Sequence, residues 1–155
     1  ANLYLGREEA RPTGPRSTHM LREIEMERRA TDVLRDLSVK IPSVRVQIAN
    51  LSGGQRQSVA VARSVMWNSK VVLLDEPTAA LGVEQTRQVK DLIMRLRAKG
   101  LGVVVISHNL ADVFEVSDRI IVMRLGRRVA TFHTANSTTE QVVGAITGAI
   151  PQVSG

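Results

Sequence analysis

Ser52-Gly53-Gly54-Gln55 stands immediately ahead of a run with helical periodicity. A helix start leaves backbone N–H groups unpaired and carries partial positive charge, so it can receive an anion. The two glycines remove side chains that would block a phosphate, and Ser52 can donate its hydroxyl. On its own, Ser-Gly-Gly reads more plainly as a serine N-cap after a glycine turn. With Leu51 before it, Gln55 after it and an acidic strand end downstream, the anion site is the better reading. That strand end is Asp75-Glu76, which closes the apolar run Val71-Val72-Leu73-Leu74 and is followed by Pro77, which stops the strand. Adjacent carboxylates at the mouth of a buried strand lose hydration and repel each other, an arrangement that suits a cation and a water. Asp75 would hold Mg²⁺, directly or through water, and Glu76 would polarise an attacking water; the alternative is that both cap the strand in solvent. His108 follows a second apolar run, 103–106, where an imidazole can donate to a terminal phosphate. His19 and His133 lack such a setting and are read as structural.

The elements that must position these residues follow from periodicity. Residues 1–6 form a short apolar piece entering a polar loop, 7–16, with Pro12, Gly14 and Pro15. Between 17 and 37, Leu21, Ile24, Ala30, Val33, Leu34 and Leu37 recur at near-helical spacing. A connector, 39–50, leads to the second helix, on which Val59, Ala62 and Met66 share a face and which Asn68 and Ser69 close. The wholly apolar run before Asp75 predicts a strand covered on both faces, as in a parallel sheet. Residues 84–99 predict an amphipathic helix with Val89, Leu92, Ile93 and Leu96 inward, ended by Gly100 or Gly102. A strand at 103–106 and a short helix around Leu110, Val113 and Phe114 follow. Runs 120–123 and 129–132 flank Leu125-Gly126 as a hairpin. Thr138 with Gln141 predicts a capping box ahead of Val142, Val143 and Ile146. Strands alternating with helices indicate an α/β fold.

Leu51-Ser52-Gly53-Gly54-Gln55, Leu73-Leu74-Asp75-Glu76-Pro77-Thr78 and Ile106-Ser107-His108 together resemble the signature, Walker B and switch motifs of ABC ATPases, in the same order over about residues 45–125. The resemblance implies a partial P-loop NTPase core with parallel strands, a helical signature subdomain and a C-terminal hairpin. It also implies that Ser52, Gly53, Gly54 and Gln55 meet ATP bound on an opposing subunit. Asp75 is then associated with Mg²⁺, Glu76 is the catalytic base and His108 senses the γ-phosphate. Ala79-Ala80-Leu81-Gly82 falls at the family's D-loop, which commonly has an acidic residue where Gly82 stands, so no cross-interface role is carried to Gly82. No Gly-x-x-x-x-Gly-Lys-Ser/Thr occurs, and the segment 2–8 resembles the stretch just past the family's glutamine loop. The expectation is a truncated chain, inactive alone. Residues 1–68 would form the helical subdomain portion, 69–150 the second half of the ATPase core, and 151–155 a tail.

Residues 2–8 and 78–82 are similar to ATPase subunits of bacterial carbohydrate importers of the ribose and xylose type. That resemblance implies a second ATPase subunit, membrane permease subunits docking on the helical subdomain within 17–45, and a solute-binding protein acting indirectly. It implies a place on the cytoplasmic face of the bacterial membrane. Composition agrees: 155 residues suit one domain or part of one, and 43% apolar with 23% charged suits a globular protein. No apolar run reaches the roughly 20 residues of a membrane span, and no basic segment followed by an apolar core opens the sequence. The absence of cysteine excludes disulfides and thiolate metal sites. The net charge of +6 is spread among acidic residues without a basic tail, and aromatics are only 3%, too few for base stacking, so no nucleic-acid partner is expected. A DNA-associated ABC ATPase would flank the signature with long heptad coiled coils, for which the stretch after Arg16 is too short. A non-catalytic remnant that only folds or associates is the other rival.

Overall fold

A computed structural model describes residues 2–4, 9–13, 18–67 and 69–149. Asn68 and the tail 151–155 lie outside the described residues. The chain forms two compact units, Ala1–Ile106 and Ser107–Gly155.

The first unit opens with a 3-10 turn, Asn2–Tyr4, that buries Leu3 and Tyr4. Strands β1 (Ala10–Thr13) and β2 (Thr18–Leu21) then pair antiparallel, with Ala10 opposite Leu21 and Thr13 opposite Thr18. The polar loop predicted for 7–16 is therefore in part a strand, and the helix predicted from 17 begins only at Glu23. The ladder takes the residues in between, and the Arg22 N–H still reaches back to the Glu9 carbonyl at 2.8 Å. Helix α1 (Glu23–Asp36) buries Met26, Ala30 and Leu34. This stripe runs at i, i+4 and i+8 and leaves Ile24, expected inside, 84% exposed. Past the end of α1, Ser38 takes a left-handed φ of 52°. Val39 N–H donates to the Leu34 carbonyl and Ser38 N–H to the Arg35 carbonyl, both at 2.8 Å, closing the helix with a Schellman pair.

After the connector and a 3-10 turn, Ile48–Asn50, comes α2 (Gly53–Met66), which buries Val59 and Ala62 but leaves Met66 half-buried. Strand β3 (Val71–Asp75) lies parallel to β4 (Gly102–Ile106), Val72 opposite Val103 and Asp75 opposite Ile106. Helix α3 (Val83–Ala98) connects them and buries Val89, Leu92, Ile93 and Leu96, the four residues its periodicity selects. Gly100 supplies the φ of 80° that ends it. Arg95 Nη1 donates to the Leu37 carbonyl at 3.0 Å, so α3 also satisfies the end of α1. Strand β3 is not covered on both faces: Val72 and Leu74 are buried, whereas Val71 and Leu73 are 56% and 74% exposed. On β4, Val104, opposite Leu73, and Ile106, opposite Asp75, are also exposed. The helices that contact this two-stranded sheet, α2 and α3, leave that face open among the described residues.

The second unit holds α4 (Leu110–Val116), β5 (Arg119–Arg124), β6 (Arg127–His133), a 3-10 turn, Thr134–Asn136, and α5 (Thr139–Thr147). Strands β5 and β6 form the expected hairpin; Leu125 and Gly126 both have positive φ, 49° and 75°, as a two-residue primed turn requires. Ile120, Val122, Val142 and Ala145 make the core of this unit, with Leu110, Val113, Phe114 and Phe132 against it. Val143 and Ile146 are 41% and 45% exposed, so α5 buries a narrower stripe than the sequence suggests. The capping box is present: Thr138 N–H donates to Gln141 Oε1 at 2.9 Å and Gln141 N–H to Thr138 Oγ1 at 3.4 Å. Thr138→Ala removes one half of it and is expected to cost about 1 kcal/mol, read as a lower urea midpoint with an unchanged slope.

Candidate functional site

The turn at the start of α2 is built by reciprocal side-chain bonds. Ser52 sits in extended backbone as the N-cap, and its Oγ accepts from the Gln55 N–H at 3.3 Å. Gln55 Oε1 accepts from the Ser52 N–H at 3.0 Å, and Gln55 Nε2 donates to the Lys40 carbonyl at 3.1 Å. Gln55 therefore holds the turn to itself and to the connector. Ser52 is exposed, and accepting from Gln55 does not consume its own O–H, so the hydroxyl can still donate outward. Gly53 is half-buried and Gly54 buried. A β-carbon on Gly54 would lie 3.0 Å from Gln85 Cβ, and one on Gly53 would lie 3.0 Å from Leu81 Cδ2. Within the chain, then, the glycines let α2 approach the segment that leads into α3. This requirement is separate from the phosphate clearance that the sequence suggests.

Asp75 is the last residue of β3 and is exposed. Glu76 leaves the strand with its N–H still donating to the Ile106 carbonyl at 2.8 Å, and turns to a φ of 44°. A left-handed conformation costs a side-chain-bearing residue about 1–2 kcal/mol, and such backbone recurs at functional sites. Pro77 is buried, and the chain folds back tightly: Ala79 N–H donates to the Glu76 carbonyl at 3.1 Å and Leu81 N–H to the Thr78 carbonyl at 3.3 Å. Ala80 is a second left-handed residue, at φ 56°. Gly82 then caps α3, its N–H donating to Gln85 Oε1 at 2.9 Å. Leu81 and Gln85 thus join the loop after the acid pair to the glycines of the Ser52 turn. The sequence places Leu81 in the D-loop segment 79–82 without a packing role and does not single out Gln85; only the paired glycines hint at a close neighbour.

His108 is exposed between β4 and α4, at the head of the second unit. Ser107 Oγ accepts from the Asn109 N–H at 3.1 Å, and Asn109 Oδ1 caps α4 by accepting from Ala111 N–H at 3.1 Å and Asp112 N–H at 3.4 Å. His133 ends β6 and is exposed, while His19 lies in β2 opposite Pro12. Among the described residues no three His, Cys, Asp or Glu side chains gather as a metal site. A lone Asp75 fits Mg²⁺, which takes one or two carboxylates and completes its shell with phosphate oxygens and water.

The ABC transporter family matches residues 6–79, which include both the Ser52 turn and the Asp75-Glu76 strand end. Over that stretch the chain is similar to the ABC transporter family. It is 45% identical over 150 residues to the fructose import ATP-binding protein of Rhizobium meliloti, covering 96% of this chain and 58% of that protein. It is 38% identical over 146 residues to the xylose/arabinose import ATP-binding protein of Sulfolobus acidocaldarius, covering 94% and 56%. A solved dimeric structure of a bacterial ABC transporter cassette superimposes with a TM-score of 0.64 at 26% identity, over 86% of this chain and 55% of that one. The chain thus spans a little over half the length of these relatives. The likeness to ABC ATPase cassettes accords with the α/β arrangement of parallel β3 and β4 around α3. No helix among the described residues is long and apolar enough to cross a membrane.

Proposed function

We propose that the chain is the signature-bearing and Walker B-bearing part of the ATPase subunit of an ABC importer that powers uptake of a sugar. The observation that carries this reading is the exposed, doubly capped Ser52 turn in the same compact unit as the strained acidic strand end. In this reading Ser52, Gly53, Gly54 and Gln55 face ATP held on a second subunit, with the helix start supplying N–H groups and partial positive charge to its phosphates. Asp75 would hold Mg²⁺, which would neutralise phosphate charge when bound. Glu76 accepts the proton of the attacking water, and His108 donates to the γ-phosphate. Residues 1–68 form the helical subdomain portion that meets the permease subunits, and 69–150 the second half of the ATPase core. Gly82 has no carboxylate to send across the interface. The sugar is supported by the import names of the fructose and xylose/arabinose relatives, and the paired subunit by the dimeric cassette. The assembly sits on the cytoplasmic face of a bacterial membrane, with a solute-binding protein feeding the permease and no nucleic acid involved.

The sequence contains no lysine-bearing phosphate loop. The chain alone is therefore expected to show no ATP turnover and no tight ATP binding, measured by phosphate release and by equilibrium titration. Turnover by the 155-residue chain would refute this division of labour. A complete subunit carrying this chain that failed to bind ATP would refute the family role.

A further inference from the structure

We propose that Leu81 and Gln85 are positioning residues that fix the start of α2, and with it the Ser52 hydroxyl, relative to the loop that follows Glu76. The catalytic part of the proposal rests on the ATPase reading above. Both residues occupy the space that a β-carbon on Gly53 or Gly54 would need. Gln85 Cβ and Cγ would stand 3.0 and 3.2 Å from a β-carbon on Gly54, and Leu81 Cδ2 would stand 3.0 Å from one on Gly53. The Gln85 contact, made at the base of its side chain with Cα also 3.5 Å away, leaves little slack, so the turn follows the start of α3; Leu81 Cδ2 fills the space beside Gly53 from a side-chain end that can rotate.

Gln85 is fixed at its other end. Its Oε1 takes the Gly82 N–H at 2.9 Å, so one side chain both closes the N-terminus of α3 and backs Gly54. Between Glu76 and Gly82 the chain has little freedom. Glu76 is tied to β4 through Ile106, two short turns follow, and Ala80 is held left-handed. From the Glu76 backbone to the serine turn there is thus a series of packed or hydrogen-bonded groups, all within one compact unit. Gln55 ties the far side of the same turn to Lys40, so the turn is gripped between the connector and α3. A residue that only stabilised α3 would need the bond to Gly82 but no contact with Gly54.

Gln85→Ala removes the acceptor and the Cγ contact; Gln85→Glu keeps the stem and a carboxylate oxygen for Gly82. In this chain, hydrogen exchange at the Gln55 and Arg56 amides, which bond to Ser52 Oγ and Ser52 O at 3.3 and 2.9 Å, reads the turn directly. Gln85→Ala and Leu81→Ala should each speed exchange there on the order of tenfold, as for a loosened local opening, with protection at Val59 unchanged; Gln85→Glu should restore it. In the complete subunit, Gln85→Ala should raise the KM for ATP by roughly 10-fold to 100-fold, the scale of a displaced binding group, with a smaller change in kcat and recovery in Gln85→Glu. Equal exchange in wild type and Gln85→Ala overturns the positioning role, whatever the subunit does with ATP. Altered exchange with an unmoved KM overturns its part in catalysis. A wild-type subunit that neither binds nor hydrolyses ATP overturns the ATPase reading and the catalytic part with it, while the exchange result stands by itself.

Discussion

Glu76→Gln in a complete subunit is expected to lower ATP turnover by about 10²–10⁴-fold, the usual share of a positioned general base, while ATP still binds and still pairs two subunits. The amide keeps the size and shape of the carboxylate, so the backbone at φ 44° and the bond from its N–H to Ile106 should persist. What is lost is the capacity to accept a proton from water. Asp75, the neighbour at the strand end, keeps its charge and with it the site proposed for Mg²⁺. The result should therefore be a loss in kcat with little change in KM, and nucleotide-bound dimers should accumulate on size-exclusion chromatography instead of dissociating. Turnover equal to wild type would remove Glu76 from the mechanism and leave its strained backbone without a catalytic explanation.

The largest effect on stability is expected in the contact layer of α3. Leu96 is fully buried, and Leu92 and Val89 beside it are 1% and 0% exposed. Truncating Leu96 to Ala loses the transfer energy of the removed carbons and leaves a cavity, together about 2–5 kcal/mol. Whole-domain stabilities are only about 5–15 kcal/mol, so the first unit should lose a large part of its margin. Leu73→Ala provides the contrast. Leu73 lies in the wholly apolar run 71–74, yet its side chain is 74% exposed, and exposed substitutions usually stay within about 0.5 kcal/mol. Urea unfolding of the two variants beside wild type checks both values. A shift as large for Leu73→Ala as for Leu96→Ala would mean that the open face of β3 is covered in solution.

These two leucines also show what can be read from a sequence. Helix α3 is legible because its inward residues recur at a helical period over several turns and because Gly100 marks its end. The hairpin β5–β6 and the cap of α5 are legible for a related reason: a two-residue turn and a reciprocal cap each demand particular side chains at fixed offsets. The pair β1–β2 is not legible. Its arms are four residues each, carry no apolar alternation and include Pro12. Nor is the exposed face of β3, because an all-apolar strand has the same composition whether one face is packed or both. At the candidate site, Ser52, Asp75, Glu76 and His108 stand out by type and spacing. Gln85 does not, and Leu81 appears only as part of the segment 79–82, because packing against a neighbouring glycine is a property of the fold and leaves no periodic trace.

The chain has one tryptophan and one tyrosine, and they touch. Tyr4 meets Trp67 edge-on, with ring centres 5.6 Å apart and planes at 87°. Ultraviolet light absorbed by the phenol should pass to the indole, and the emitted colour should report how wet that corner is. These 155 residues thus carry a built-in optical gauge, free of competing chromophores of its kind among them, at the end of α2 opposite the serine turn. Detachment of the Asn2–Tyr4 segment should redden its fluorescence and abolish the transfer before any label is attached.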